Sequence, residues 1–221
     1  MSVPPPPYRD RHDAGDELAS RLMMFKGRND VVVLALPRGG VPLGHAVAAA
    51  LDVPLDIVLV RKLGLPNFPE LAMGAIASGG VRILNDDVIQ WYGITQSTLD
   101  AVTQEELAEL ERRERHYRSG RPPVALEGKI VILIDDGLAT GSTMRAAVEA
   151  VRAHAPARVV VAVPVGSVDA CRDMTAVADE VVCARTPDVF AAVGQWYRDF
   201  SQTSDEEVSQ LLSDHREHAT H

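Results

Sequence analysis

Two adjacent carboxylates, Asp135 and Asp136, end an apolar run. A loop of small and hydroxyl-bearing residues follows them: Gly137, Leu138, Ala139, Thr140, Gly141, Ser142 and Thr143. Side-by-side acids repel each other, so they need polar partners. The vicinal hydroxyls of a sugar are one such partner, because carboxylates accept hydrogen bonds strongly. Magnesium is another, as a hard cation that takes oxygen ligands. The loop beyond the acids runs into a helical pattern. Backbone amides, hydroxyls and a helix N-terminus together suit a phosphate. Sugar hydroxyls next to a phosphate describe a phosphorylated sugar. The string is not a Gly-x-x-x-x-Gly-Lys-Ser/Thr nucleotide loop, since it lacks the lysine and its carboxylates come first. An Asp-Gly pair alone would mark only a capped turn.

Two further stretches carry charge or an unhindered backbone. In "LPRGGVPLG", Gly39 and Gly40 permit either close backbone approach to a ligand or positive φ angles. Arg38 adds a permanently charged fork that matches phosphate oxygens. In "VRKLGLPNFPEL", Arg61 and Lys62 stand at the end of an apolar run, before a Pro- and Gly-containing segment that includes Glu70.

These residues need a scaffold, and the hydrophobic patterning supplies one. Residues 31–36 are a continuous apolar run, and residues 129–135 carry another between Lys129 and Asp135, the pattern of strands buried on both faces of a parallel sheet. Residues 55–60 read as another strand, with Asp56 at a less buried position. Residues 158–163 and 180–184 read as two more. Helical spacing follows Asp13, Pro42 and Thr143, and recurs over 168–176 and 205–212. Residues 61–78 begin as a loop and end in a short strand that turns at Gly79-Gly80 into a hairpin. Asp86 or Asp87 is a candidate cap for a short helix. Residues 95–119 form a helix laced with acid-to-base pairs four residues apart, which read as a solvated insertion over about 86–120. The tail from His215 onward reads as frayed. Alternation of strand and helix predicts one α/β domain over 1–221 with a mostly parallel sheet. In such sheets ligands sit beyond the carboxyl ends of the strands, where all three loops fall.

"VILIDDGLATGST" resembles the phosphoribosyl-pyrophosphate (PRPP) signature of the type I phosphoribosyltransferases. The resemblance implies that Asp135 and Asp136 hold the ribose hydroxyls and any magnesium ion. Gly137, Ala139, Thr140, Gly141, Ser142 and Thr143 would then cradle the 5′-phosphate. It assigns Pro37, Arg38, Gly39 and Gly40 to the pyrophosphate loop, which in this family often carries a cis peptide. It assigns Arg61 and Lys62 to a mobile lid over the pyrophosphate. Arg38, Lys62 and Glu70 become the catalytic candidates, with Glu70 a general acid/base or base contact. Purine-salvage members place an acid where this chain has Ala139. The family's variable hood would come from residues 8–13 and from "TPDVFAAVGQWYRDF". Phe190, Trp196 and Tyr197 there would either stack on a base or close the core. With its other loops, the chain most resembles a bacterial group known only as candidate phosphoribosyltransferases.

The implied activity is a magnesium-dependent transfer of the 5-phosphoribosyl group from PRPP to a nitrogenous acceptor, as in nucleotide salvage, with release of pyrophosphate. A non-catalytic PRPP- or nucleotide-binding regulator is the alternative. A phosphate-ester hydrolase with Asp135 as nucleophile is disfavoured by the absence of an Asp-x-Asp pattern. The chain has 221 residues and a formal net charge of −9, which opposes general nucleic-acid binding. It lacks a signal-peptide pattern and an apolar run of about 20 residues, so the expectation is a cytoplasmic protein without membrane partners. A homodimer is a possible assembly. Cys171 and Cys183 are expected as buried, reduced thiols.

Overall fold

The computed structural model describes residues 6–218, without the side chains of residues 69, 70 and 216–218. Five strands form its main sheet: β1 (Val31–Ala35), β2 (Leu55–Ile57), β6 (Ile130–Ile134), β7 (Arg158–Val165) and β8 (Glu180–Arg185). Their order is β2-β1-β6-β7-β8, and every pairing is parallel. β1 and β6 are buried along their whole length, as continuous apolar runs predict. Their side chains alternate between two cores. Val31, Val33, Ile132 and Ile134 face α1 (Arg11–Arg21), α2 (Gly40–Leu51) and α7 (Asp205–His218). Val32, Leu34, Val131 and Leu133 face α5 (Ser142–Arg152) and α6 (Val168–Met174). Each such burial contributes about 1.5–3 kcal/mol relative to exposure.

A second, antiparallel sheet of order β3-β4-β5 covers one side: β3 (Val60–Leu65), β4 (Phe68–Ala77) and β5 (Val81–Leu84). The expected loop at the start of 61–78 is therefore the first strand of a hairpin turning at Pro66 and Asn67. Leu63 and Leu65 alternate into the core as a strand requires, but Gly64 and two register shifts obscure the pattern. Likewise, the expected strand 55–60 is divided between β2 and β3. Among the described residues no helix is long and apolar enough to cross a membrane.

Several local expectations are corrected by capping and packing. Asp10, not Asp13, caps α1, accepting from the Asp13 amide at 2.9 Å, while Asp13 pairs back to Arg9. α3 (Asp86–Trp91) is capped by Asn85 rather than by Asp86 or Asp87. α4 (Gln96–Arg118) carries the expected surface ion pairs, Glu109 with Arg113 among them. It is not solvated all round, because Leu99, Leu110 and Tyr117 are buried and Tyr117 donates to Asp205 on α7 at 2.6 Å. α7 extends past residue 212, and His215 is buried against the Val53 carbonyl, with 2.8 Å between Nε2 and the oxygen. Residues 219–221 of the expected frayed tail lie outside the described residues. Cys171 and Cys183 form a disulfide between α6 and β8, with Cα atoms 6.6 Å apart, rather than two reduced thiols.

The clearest correction concerns Asp56. It is 1% exposed, because Arg118 reaches it from the end of α4 at 2.9 Å. Arg118 also donates to the Ile57 carbonyl, and Asp56 accepts the Val124 amide. Removing one partner of a buried pair strands the other's charge, which costs about 3–5 kcal/mol. Arg118→Met, which keeps bulk and removes the cation, is therefore expected to lower stability by about that amount. Urea denaturation with an unchanged m-value measures it. A loss below about 1 kcal/mol would show that the pair is dispensable.

Candidate active site

β1 and β6 are neighbours in register, Ala35 opposite Ile134. Their carboxyl ends therefore release two loops side by side, and the Leu36 amide still bonds to the Ile134 carbonyl at 2.8 Å. The Pro37–Arg38 peptide in the first loop is cis. The two glycines after it serve close approach rather than positive φ. Gly39 has φ −59°. A Cβ built on Gly39 would lie 2.0 Å from Asp136 Oδ2, and one on Gly40 would lie 2.6 Å from the Ile134 carbonyl oxygen. Positive φ, one of the two expectations, is not what these glycines supply; the close approach seen is to Asp136 and the end of β6 rather than to a ligand.

The acids beyond β6 differ in environment. Asp135 lies in a packed surround and accepts the Asp136 amide at 2.8 Å. Burial, and then the Asp136 charge, push its carboxyl well above the usual carboxylate range. Burial also raises Asp136, but Arg11 opposes it through charge and hydrogen bonding. Arg11 donates from Nε and Nη2 to Asp136 Oδ2 at 3.0 and 2.9 Å. Both acids are thus raised by burial, and Arg11 opposes the rise at Asp136. The Tyr197 hydroxyl, pushed up by burial and so a firm donor, bonds to the Asp136 carbonyl at 2.6 Å. Among the described residues no group of three or more His, Cys, Asp or Glu is placed to hold a metal ion.

The next loop is open where a phosphate would need it. Ala139, Thr140, Ser142 and Thr143 are exposed. Gly141, at φ 77°, is the N-cap of α5, a left-handed conformation that favours glycine. The Thr140 and Ser142 hydroxyls lie 3.2 Å apart. The base of the loop is fixed from behind, since the Leu138 amide bonds to Val165 and the Ser167 hydroxyl to the Ala139 carbonyl. Gly137 is needed because a Cβ there would meet Val193 at 2.5 Å.

Pro37, Arg38, Arg61 and Lys62 line one cavity of about 710 Å³ between the first loop, β3 and α4. The expected pyrophosphate cations are thus brought together. Acids from helices face two of them: Glu106 pairs with Arg61, and Asp205 lies 3.7 Å from Arg38. β3 and β4 form the hairpin in the place expected for a lid. Glu70 belongs to β4, and its side chain is outside the described residues.

The segments expected to form a hood meet beside Asp136. Tyr8 bridges to Tyr197, with ring centroids 5.6 Å apart. Trp196 and Tyr197 are buried and close the core, Phe190 is partly buried, and Phe200 is the exposed aromatic of this group. Arg11 and Phe200 fall within the segments expected to form the hood but had no role of their own there, and Asp205 had none either. Arg11 and Asp136 are 125 residues apart, and no spacing rule links them.

A cis-peptide glycine loop, an acid pair and a hydroxyl-rich helix start thus stand together at the carboxyl ends of adjacent parallel strands. Residues 9–200 match the phosphoribosyl transferase domain, and the chain belongs to that family. It is 51% identical over 205 residues to a Mycobacterium tuberculosis (strain CDC 1551 / Oshkosh) protein named as a candidate phosphoribosyl transferase. That alignment covers 93% of this chain and 46% of the relative, so the chain spans about half the length of the curated relatives it matches. It is also 43% identical to TT1426 from Thermus thermophilus, whose crystal structure superposes with a TM-score of 0.82. The superposition covers 94% of this chain and 98% of that one. A shorter match, 30% over 103 residues, joins it to a hypoxanthine/guanine phosphoribosyltransferase of Methanothrix soehngenii, covering 42% of this chain and 54% of that protein.

The raised Asp135 gives a stability test. An acid whose folded pKa exceeds its unfolded value favours folding most below the unfolded pKa, and that contribution is lost as pH rises through the folded one. Asp135→Asn removes this dependence while leaving an oxygen for the Asp136 amide. The ligand-free variant is expected to melt above the wild type at pH 7–8, and the gap should close below about pH 4. Thermal melts across that range measure it, and a variant less stable at pH 8 would contradict the assignment.

Proposed function

We propose that this chain transfers the 5-phosphoribosyl group from PRPP to a nitrogenous, nucleobase-type acceptor and releases pyrophosphate. The observation that supports the reading is the joining of three groups at the ends of two adjacent strands. The acids end β6 and the loop into α5 follows them directly in the chain. Gly39 packs on Asp136, and Arg38 beside it lines a cavity with Arg61 and Lys62. A hydroxyl-rich loop, an acid pair and a cationic cavity suit the phosphate, ribose and pyrophosphate of the donor.

In this reading Thr140, Ser142, Thr143 and the amides at the α5 N-terminus hold the 5′-phosphate, with Gly137, Ala139 and Gly141 letting the backbone approach. Asp136 accepts from the ribose hydroxyls, and Asp135 lies beneath it. Pro37, Arg38, Gly39 and Gly40 face the pyrophosphate. As the bond from C1 to pyrophosphate breaks, negative charge gathers on the leaving group and positive charge on the sugar ring. Arg38, Arg61 and Lys62 stabilise the first, provided they turn from Asp205 and Glu106 toward the ligand. Asp136 faces the second. Closure of the β3–β4 hairpin would exclude water, and Glu70 is the carboxylate on that hairpin proposed to handle the acceptor's proton.

Magnesium fits as part of the substrate rather than as a resident ion. Asp135 and Asp136 offer few oxygens, one already taken by Arg11, whereas an octahedral ion needs six donors. Bound with the donor, it would neutralise charge on the departing pyrophosphate.

Purified protein supplied with PRPP, magnesium and a panel of nucleobases is expected to release pyrophosphate with at least one base. Arg38→Ala should slow that release about hundredfold, the scale of losing one charge-stabilising group. Tight PRPP binding with no release across the panel would favour the regulatory alternative.

A further inference from the structure

Arg11 occupies a position that helix stability does not explain. It is the first residue of α1, where the helix dipole disfavours a cation. Its side chain is only 12% exposed, and all three of its nitrogens are used. Nε and Nη2 converge on Asp136 Oδ2, and Nη1 donates to the Ser201 carbonyl at 2.7 Å. Its guanidinium lies 4.1 Å from the Phe200 ring centroid. Asp136 is therefore held by one oxygen, which lies against both Arg11 and the Cβ-free face of Gly39. Oδ1 is the oxygen that Arg11 does not engage.

We propose that Arg11 is the positioning residue of the sugar site: it fixes the rotation of the Asp136 carboxylate, presents Oδ1 to the ring hydroxyls, and ties residues 197–201 to that acid. Three observations converge. The fork geometry sets orientation as well as charge, which a lysine would not reproduce. Phe200 provides a flat platform that keeps the guanidinium in plane. Tyr197, next to that platform, holds the backbone of the same acid through its hydroxyl. The C-terminal wall and the sugar site thus share one cation. The inference rests on the donor reading above, and it adds a residue and a coupling that the shared loops do not contain.

The test is titration calorimetry of the full chain with ribose 5-phosphate and, separately, with pyrophosphate. Arg11→Gln should weaken ribose 5-phosphate about tenfold or more, the scale of one charge-assisted hydrogen bond. Pyrophosphate binding should stay within about twofold, because its cavity lies beyond Gly39. Arg11→Lys should recover part of the sugar-phosphate affinity. Unchanged or tighter ribose 5-phosphate binding in Arg11→Gln would overturn the proposal, the latter by showing that Arg11 competes with the sugar. Equal losses for both ligands would also overturn it, by showing general damage. If either Arg11 variant fails to fold by circular dichroism, Phe200→Leu decides. It removes the platform alone and should give a smaller loss confined to the sugar phosphate, and no such loss overturns the proposal. A wild type that binds no ribose 5-phosphate but binds pyrophosphate removes the donor reading itself. Wild-type binding with insensitive variants removes only the role of Arg11.

Discussion

The carboxylate of Asp136 occupies the space that a side chain on Gly39 would fill. That contact exists because β1 and β6 pair in parallel and in register, so the chain leaves both strands at the same height. Everything at the site depends on this approach. The glycine loop brings Arg38 to its cavity, the acids stand over the strand end, and the α5 N-terminus follows within a few residues. A side chain at either glycine would wedge the loops apart and separate the three subsites. The apolar strands beneath fix the height of the approach, since a change of register would turn every side chain toward the opposite core.

The site carries an electrostatic cost that the fold sustains. Two acids sit together in a packed surround, both raised by burial, with a single arginine opposing the rise at Asp136. Across the rim, Arg38 and Arg61 face Asp205 and Glu106. Those pairs balance part of the cavity's positive charge. Such strained arrangements are commonly found where charge must later be stabilised on a ligand.

Much of this was legible in the sequence where one physical rule dominated. β1 and β6 were plain because strands buried on both faces must be apolar throughout. The acid pair and the hydroxyl-bearing loop after it were plain because their residues are contiguous. Legibility failed where the deciding partner was distant. Asp56 looked like a mark of exposure, and only Arg118, 62 residues away, makes it a core residue. β3 was hidden by Gly64 and Pro66, whose turn chemistry outweighed the alternation of Leu63 and Leu65. Arg11 was marked only as part of the expected hood segment, since its contact with Asp136 joins chain segments 125 residues apart. Cys171 and Cys183 were separated by a helix and a strand edge whose proximity no spacing revealed.

The account's central claim is that the acids after β6 grip the sugar of an activated pentose phosphate. The most direct measurement is calorimetric titration of PRPP into the wild type and into the double variant Asp135→Asn/Asp136→Asn, both checked for native secondary structure. The account predicts measurable wild-type affinity and at least about a hundredfold loss in the variant, as expected when two charge-assisted contacts are removed. Equal affinity in a folded double variant would contradict it.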